Sequence, residues 1–242
     1  ITVRDWSSDV CSSDLRHPVL RFLGWTVALS GTLVVSGALV GIVAYEVASS
    51  RLPPLTSLTD YKPKLPMQVF SADGLLIGEY GSEKRTVVSY SSFPEKMRQA
   101  ILAAEDDDFF THHGIDLFGV GRAVLANVKT GGRGQGVSTI TMQLARTTFL
   151  SRERSFVRKF YEVLLTLRIE QQLSKSQIFE IYANQIFLGQ RSYGFATAAQ
   201  TYFGKPLSEL TIGQMAMLAG LPKAPARDNP IANPERAKQR QR

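Results

Sequence analysis

The sequence predicts a mainly α-helical domain with a small β element, preceded by one transmembrane helix. Three observations support this prediction. An uncharged run from Phe22 to Tyr45 is long enough for a helix to cross a bilayer. Two short stretches of strand-forming residues, 67–70 and 75–80, flank a Ser-Ala-Asp-Gly turn signal. From Phe93 onward, apolar residues recur with the spacing of helices, and the sequence contains no internal repeat.

The composition is that of a folded, basic protein. Hydrophobic residues make up 44% and charged residues 20% of the chain, which excludes wholesale disorder. A net charge of +7 suits an anionic membrane surface or an anionic substrate. Zinc-finger spacing and RNA-binding aromatic signatures are absent from the sequence, so nucleic acid is not an expected partner. The single cysteine, Cys11, excludes intrachain disulfides and cysteine-based metal sites.

The first fifteen residues differ in character from the rest of the chain. They repeat Ser-Ser-Asp and show no apolar periodicity. They also lack the basic residues expected immediately before a membrane anchor. We therefore expect residues 1–15 to be a cloning or assembly artefact or a disordered tail, and we assign no functional residue there.

The uncharged run is predicted to be a signal anchor that is not cleaved. Arg16 and Arg21 precede it and an acidic residue, Glu46, follows it, so the positive-inside rule places the N-terminus in the cytoplasm. A cleaved signal peptide would have a shorter apolar core. Residues 16–50 thus form a cytoplasmic stub and a single-pass helix in the inner (plasma) membrane, with the rest of the chain outside. Residues 51–66, rich in proline, are expected to be an extended linker.

The exported part begins with the small β element, predicted over residues 67–90. Strands are expected at 67–70 and 75–80, with a third at 86–90. The first helix is expected to be capped by Ser92, with Pro94 in its first turn. Further helices are predicted at 115–128, 138–149, 155–173, 175–187, 191–202 and 211–219.

The first candidate site is an acidic run at a predicted helix C-terminus, where Glu105 is followed by three aspartates and two phenylalanines. Carboxylates this close repel one another, so one that is partly buried should have a raised pKa. Such a carboxylate suits general-base work on a sugar hydroxyl. A solvated acidic run is the alternative, although the helix dipole disfavours acidic groups at this end. His112 and His113 are interpreted as structural.

The second candidate is a glycine-rich stretch, residues 131–136, that leads into a helix with Ser138 as its predicted N-cap. Backbone N–H groups at such a helix start favour phosphate oxygens. Thr139, Gln143 and Arg146 lie at i, i+4 and i+7, which puts them on one polar face suited to a diphosphate. The stretch is not a P-loop. A flexible loop before an ordinary amphipathic helix is the alternative.

The third candidate, residues 151–170, is a cationic stretch in which Arg158 and Glu162 are i, i+4 neighbours. One interpretation is a surface ion pair of little energetic value. The other is a carboxylate held among cations that also bind phosphates. Two later blocks show less chemistry. In residues 177–205, Tyr182, Asn184 and Tyr193 are candidates to line a sugar groove, and residues 210–225 predict a buried helix.

Taken together and in this order, the five blocks resemble the family 51 glycosyltransferases of bacterial cell-wall synthesis. The resemblance runs from about Tyr61 to the C-terminus, and the stretch EKRTVVSY is similar to the class A penicillin-binding proteins in particular. It implies a lysozyme-like, mainly helical glycosyltransferase domain over residues 91–242. It also implies polymerisation of lipid II into β-1,4-linked glycan strands, with inversion and release of undecaprenyl diphosphate.

The resemblance implies a role for each matching residue. Glu105 matches the catalytic base that deprotonates the acceptor's 4-hydroxyl. Glu162 matches a second essential glutamate near the donor diphosphate and its divalent cation, Mg²⁺ or Mn²⁺, and no organic cofactor is implied. Asp106 and Asn184 match framework positions of the first and fourth blocks. The substrate-binding set comprises Thr139, Gln143, Arg146, Arg154, Arg158, Lys159, Asp106 and Asn184.

Several positions depart from the family pattern, which puts substrate affinity in question but keeps both glutamates. Asp107 and Asp108 stand where a basic residue is usual. The other departures are Met142, Arg146, Thr147 and Gln214. The motifs of a transpeptidase are absent, so we expect the chain to be truncated before any such domain.

The expected partners are lipid II, the growing glycan, the inner membrane and proteins of cell-wall synthesis. Two alternative functions stay open. One is a lysozyme-like enzyme that cleaves glycan, and the other is a catalytically silent, membrane-anchored binding protein.

Overall fold

The structure, a computed structural model, describes residues 16–50, 52–54, 67–81, 83–130, 138–151, 153 and 155–241. The chain divides into two compact units, residues 1–52 and 53–242. The predicted tail, most of the predicted linker and the glycine-rich stretch 131–136 lie outside the described residues, so the predictions made for them are untested.

The first unit contains helix α1, Arg16–Ser49. Its segment Phe22–Val47 has a mean hydropathy of 2.2, and none of it is buried in the protein. A helix of this length spans the hydrocarbon core of a bilayer. The predicted apolar helix is therefore confirmed in length and composition.

The second unit begins with a β-hairpin, as predicted. Strand β1, Met67–Phe70, pairs antiparallel with β2, Leu76–Tyr80. Gly74 closes the turn with φ +83°, a conformation that favours glycine.

The predicted third strand at 86–90 is wrong. Strand β3 is instead Lys84–Arg85, and it pairs in parallel with β4, Ser192–Tyr193. The backbone N–H and C=O of Val88 bond to the side chain of Asn184 at 2.9 and 2.8 Å. Because a side chain holds both groups, Val88 has no backbone partner in a sheet ladder.

The remainder of the described chain is mainly helical, which confirms the predicted fold class. The predicted helices agree within two residues at their bounds, except that the helix predicted at 191–202 begins only after β4. There Gly194, at φ +85°, brings the backbone so close that an added Cβ would lie 2.8 Å from the Asn184 carbonyl oxygen. The helices are α2 Glu95–Glu105, α3 Leu117–Thr130, α4 Ile140–Phe149, α5 Phe156–Gln172, α6 Lys175–Gln185, α7 Phe195–Phe203, α8 Ile212–Ala219 and α9 Pro234–Gln241.

Two predicted caps are wrong. Ser92 ends a 3₁₀ turn, and Pro94 occupies the N-cap position of α2 without a side-chain bond. Helix α4 is capped by Thr139, not Ser138. The Thr139 hydroxyl accepts from the Met142 N–H at 3.2 Å and donates to the Gly114 carbonyl at 2.6 Å. This second bond connects the cap to the loop after α2, and it explains why Thr139 caps the helix instead of Ser138.

Replacing Thr139 with Ala is expected to lower the free energy of unfolding by about 1–2 kcal/mol, because a helix cap and a buried hydroxyl bond are lost. Replacing Ser138 with Ala is the matched control and should change it by less than about 0.5 kcal/mol. Urea unfolding followed by circular dichroism measures both. Equal losses in the two variants would contradict the assignment of the cap.

The core is built around α4, which packs against α5 and α6, while α2 packs against α8. The fully buried side chains at these contacts include Ile101, Ile140, Leu144, Leu165, Ile169, Ile178 and Phe179. Burial of such side chains contributes roughly 1.5–3 kcal/mol each. Hydrogen bonds from Gln143 to Glu105 and from the Ile140 N–H to Asp106 hold the C-terminus of α2 beside α4, where the candidate site lies.

Candidate active site

Glu105 is the last residue of α2 and lines a cleft of about 430 Å³. The opposite wall is α3, which contributes Arg122, and Thr139 closes the end at α4. Arg122 lies 3.5 Å from both Asp108 and Asp116, so its charge is shared between two carboxylates. The cleft is therefore large enough for part of a sugar and has a partly buried carboxylate in its wall.

Burial raises the pKa of Glu105 above its ordinary value of 4.5. The hydrogen bond from Gln143 and the charges of Arg240, Lys223 and Arg146 oppose this rise. The predicted raised pKa is thus confirmed for Glu105, but its main cause is loss of water, not repulsion by the neighbouring aspartates. A carboxylate whose pKa is closer to neutral is a better general base.

Gln143, on α4, contacts this carboxylate directly. Its amide Nε2 donates to Glu105 Oε2 at 2.6 Å. Its amide oxygen accepts from the hydroxyl of Tyr182, on α6, at 3.5 Å. Burial raises the pKa of Tyr182 well above its ordinary value, and the charge of Glu105 adds to the rise. Tyr182, Gln143 and Glu105 thus form a hydrogen-bonded chain that runs from the buried Tyr182 hydroxyl to the Glu105 carboxylate.

Asp106 lines the cleft, and its carboxylate is bonded within the framework of the domain. Its carboxylate accepts from the Ile140 N–H at 2.9 Å and pairs with His112 Nε2 at 2.9 Å. His112 Nδ1 in turn accepts from the Gly114 N–H at 3.0 Å. The carboxylate thus holds the start of α4 against the loop after α2. The structural role predicted for His112 is confirmed, whereas the substrate-binding role assigned to Asp106 stays a prediction.

Asn184 and Thr139 are likewise bonded within the protein, and their assignments to substrate binding stay predictions. The amide of Asn184 bonds to both backbone groups of Val88 and to the Glu180 carbonyl, so each of its polar atoms already has a protein partner. Thr139 is almost fully buried, and its hydroxyl is used in capping. Each polar side-chain atom of these two residues thus has a partner in the protein, and Thr139 also lines the cleft.

Glu162 lies in a buried ion cluster, so the interpretation as a surface pair is wrong. Its side chain is 0% exposed, and its two oxygens bond to Arg158 Nη1 at 2.9 Å and Lys159 Nζ at 2.6 Å. Lys159 is 44% and Arg158 18% exposed. Arg158 Nε is buried without a hydrogen-bond partner. Both cations are thus held in place by one carboxylate.

This placement does not fit a divalent cation bound to Glu162, because both carboxylate oxygens already face positive charges. In the part of the chain that the structure describes, no cluster of three or more His, Cys, Asp or Glu residues could hold a metal ion. The divalent cation implied by the resemblance stays a prediction.

Of the two remaining predicted cations, the structure describes Arg146 only. Arg146, in the last turn of α4, acts electrostatically on both Glu105 and Tyr182. Arg154 lies outside the described residues.

Sequence reasoning missed two cations beside the base, Lys223 and Arg240, which lower the pKa of Glu105. Arg240 lies on α9 and donates from Nε to the Gly220 carbonyl at 2.9 Å. Lys223 lies in the 3₁₀ turn that directly follows α8. The signal was available, because Lys223 is the first charged residue after the fifth block's apolar helix and the C-terminal segment is rich in arginine.

Comparison with known proteins gives consistent matches. A family profile described as Transglycosylase matches residues 73–242. Penicillin-binding protein 1A of Neisseria flavescens is 53% identical over 223 residues, 92% of this chain and 28% of that protein. Penicillin-binding protein 1A of Pseudomonas aeruginosa is 45% identical over 222 residues, 92% of this chain and 27% of that one.

Among solved structures, that of penicillin-binding protein 1A from Haemophilus influenzae is 32% identical, with a TM-score of 0.39. The match covers 74% of this chain and 17% of that chain. The chain thus spans between a quarter and a third of the length of the curated relatives quoted above.

Proposed function

The chain belongs to the transglycosylase family, and from that membership we propose that it polymerises lipid II into β-1,4-linked glycan strands and releases undecaprenyl diphosphate. One observation carries the proposal: Glu105, with its pKa raised by burial, lines a cleft and has three cations within electrostatic reach. A base beside positive charge is what transfer from a diphosphate-linked sugar requires.

In the proposed reaction, the 4-hydroxyl of the acceptor sugar gives its proton to Glu105. The oxygen attacks the anomeric carbon of the donor as the bond to the lipid diphosphate breaks. The attack comes from the face opposite the leaving group, so an α-linked donor gives a β-linked product. Protein groups are needed to accept the proton and to stabilise the negative charge that develops on the diphosphate.

We assign the diphosphate to Arg158 and Lys159, with Arg146 supporting them. Arg158 and Lys159 share one buried carboxylate and keep partly exposed surfaces. Charge-assisted bonds from such preorganised cations are stronger than bonds from mobile surface side chains. Glu162 is then the residue that positions Arg158 and Lys159. The negative charge of the leaving diphosphate is stabilised by these basic side chains of the protein.

We further propose that α1 anchors the chain in the inner membrane, with Arg16 and Arg21 on the cytoplasmic side and the domain outside. The domain also exposes large apolar side chains on α3 and α5, among them Phe118 at 86% and Phe156 at 96% exposure. Exposed apolar groups of this size suit contact with a lipid surface. A lipid-linked substrate would reach the cleft from such a surface.

The product formed from labelled lipid II by the detergent-solubilised chain tests this proposal. A ladder of glycan chains that a muramidase digests is the expected result. Cleavage of finished glycan without polymerisation would instead support the lysozyme-like alternative. Binding of lipid II without any product would support the silent binding protein.

A further inference from the structure

Helix α9 is bonded to α8 through two side chains that donate to backbone carbonyls. Arg240 donates from Nε to the Gly220 carbonyl at 2.9 Å, and Gln241 donates from Nε2 to the Gly213 carbonyl at 2.8 Å. Gly213 lies in the first turn of α8, and Gly220 is its C-cap. On the same face of α9, one turn before these side chains, Ala237 is buried. Helix α9 therefore contacts α8 at both of its ends.

The two glycines leave room for this contact. A Cβ added to Gly213 would lie 2.6 Å from Gln241 Nε2, and a Cβ added to Gly220 would lie 3.0 Å from Arg240 Cγ. The φ of Gly220 is −79°, a value that any residue adopts, so its backbone conformation does not require glycine. The close approach of the Arg240 side chain accounts for the glycine at position 220.

The carbonyl that Arg240 holds lies at a junction beside the candidate base. Gly220 ends α8 and precedes the 3₁₀ turn Leu221–Lys223, whose last residue is a cation. Helix α8 packs against α2, and Glu105 is the last residue of α2. Because Arg240 bonds the start of the turn, it restrains the position of Lys223 relative to the helix that packs beside the base.

The charge of Arg240 also acts on Glu105. Burial raises the pKa of Glu105, and among the charged groups that oppose this rise Arg240 has the largest effect. Arg240 is exposed, so part of this interaction is screened by salt. The other ionisable groups around the Glu105 carboxylate are Arg146 on α4, Tyr182 on α6, Lys223, the adjacent Asp106 and Asp107, and Asp116 and Arg122 in the cleft wall.

We propose that Arg240 is a positioning residue of the active site: from α9 it holds the turn that carries Lys223 and keeps a positive charge beside Glu105. Helix α9 then belongs to the active site. The effect of Arg240 on the rate rests on the proposed function, whereas its effect on the Glu105 carboxylate does not.

The first test is the pH dependence of kcat/KM for lipid II in Arg240→Gln. The acid limb of the profile should move to higher pH, because a charge that favours the ionised carboxylate is lost. The rate on the plateau above the limb should fall by roughly 3–10-fold, because the turn is no longer held. A higher salt concentration should reduce the difference between the two limbs, since it screens the charge in the parent.

Arg236→Gln is the matched control. It removes the same charge from the same helix, at an exposed residue that pairs with Asp228 at 3.7 Å. Its limb and plateau should both stay in place. An unmoved limb in Arg240→Gln at low salt, or an equal shift in Arg236→Gln, would overturn the proposal.

Two further variants separate the charge of Arg240 from its bond. Arg240→Lys keeps the positive charge but lacks the Nε donor, so its plateau should fall while its limb stays near the parent's. Gly220→Ala keeps the guanidinium but displaces the side chain, and it should lower the plateau by a smaller amount. Gly121→Ala, which adds a Cβ in open space on α3, is its control. A limb that moves as far in Arg240→Lys as in Arg240→Gln would overturn the assignment, because loss of charge would not be its cause.

Difference infrared titration of the Glu105 carboxylate, with Glu105→Gln as the blank, separates this proposal from the proposed function. The midpoint of the carboxylate band should rise in Arg240→Gln and stay unchanged in Arg236→Gln, whether or not the chain polymerises lipid II. An inactive parent with these midpoints would contradict the proposed function alone. An active parent whose carboxylate band titrates identically to that of Arg240→Gln would contradict the role of Arg240 alone.

Discussion

Replacing Glu105 with Gln is expected to lower the rate of glycan polymerisation by roughly 10²–10⁴-fold, the usual contribution of a general base. Glutamine has nearly the same shape and can still accept the bond from Gln143, but it cannot take the acceptor's proton. Affinity for lipid II should stay within about 3-fold of the parent, because the binding cations are unchanged. Initial rates of polymerisation and direct binding of labelled lipid II measure the two effects.

Asp107→Asn is the matched control for this variant, since it removes a neighbouring, exposed carboxylate from the same cleft. Its rate should stay within about 3-fold of the parent. A comparable loss in both variants would mean that the cleft needs negative charge in general and has no single base.

The Glu105→Gln substitution should not lower the stability of the fold. The sign of its effect on the free energy of unfolding follows from the raised pKa of Glu105. Burial raises that pKa, so the ionised carboxylate costs folding free energy above the folded-state pKa, and this cost disappears as pH falls below 4.5. The Glu105→Gln protein should therefore melt at or above the parent's temperature at pH 7. The difference should shrink as the pH is lowered. Loss of activity with a raised Tm would exclude misfolding as its cause.

Replacing Glu162 with Gln is expected to lower polymerisation by roughly 10²-fold, through the two cations that it holds. A neutral amide can accept from one of Arg158 and Lys159 but not neutralise both, so the remaining positive charges repel each other. The apparent affinity for lipid II should fall with the rate. The free energy of unfolding should fall by about 1.5–3 kcal/mol, because charge-assisted bonds to a buried group are lost.

Glu153→Gln, an exposed carboxylate a short distance before α5 in sequence, is the control and should behave as the parent. Titration with Mg²⁺ and Mn²⁺ distinguishes the two roles considered for Glu162. If Glu162 only positions the side chains of Arg158 and Lys159, its replacement leaves the metal dependence of the rate unchanged. Recovery of the Glu162→Gln rate at high metal concentration would contradict the present assignment and make Glu162 a metal ligand.

Features set by local sequence were predicted well. The anchor helix, the first hairpin and helices α2 to α8 follow from apolar periodicity and turn residues that lie close together in the chain, whereas α9 was not predicted. The raised pKa of Glu105 was predicted as well, but its expected cause was repulsion among the carboxylates, whereas its main cause in the structure is burial.

Features set by distant partners were not predictable. Ser138 and Thr139 are both good caps, and the choice depends on the Gly114 carbonyl, 25 residues away in sequence. Asn184 appeared suited to a sugar, yet its amide binds the backbone of Val88, 96 residues away. Gln143 was placed correctly on a polar face, but only the tertiary packing shows that this face meets Glu105, 38 residues away. Side chains of these types bind substrates and backbone equally well, so residue type alone cannot separate the two uses.

The most direct test of the central claim is the pH dependence of lipid II polymerisation by the 242-residue chain and its Glu105→Gln variant, measured together. The parent rate should rise with pH through a single limb whose midpoint lies above 4.5, because burial raises the pKa of the base. The variant should show a low rate without that limb. A variant that keeps the same limb at a rate close to the parent's would contradict the assignment of Glu105 as the base.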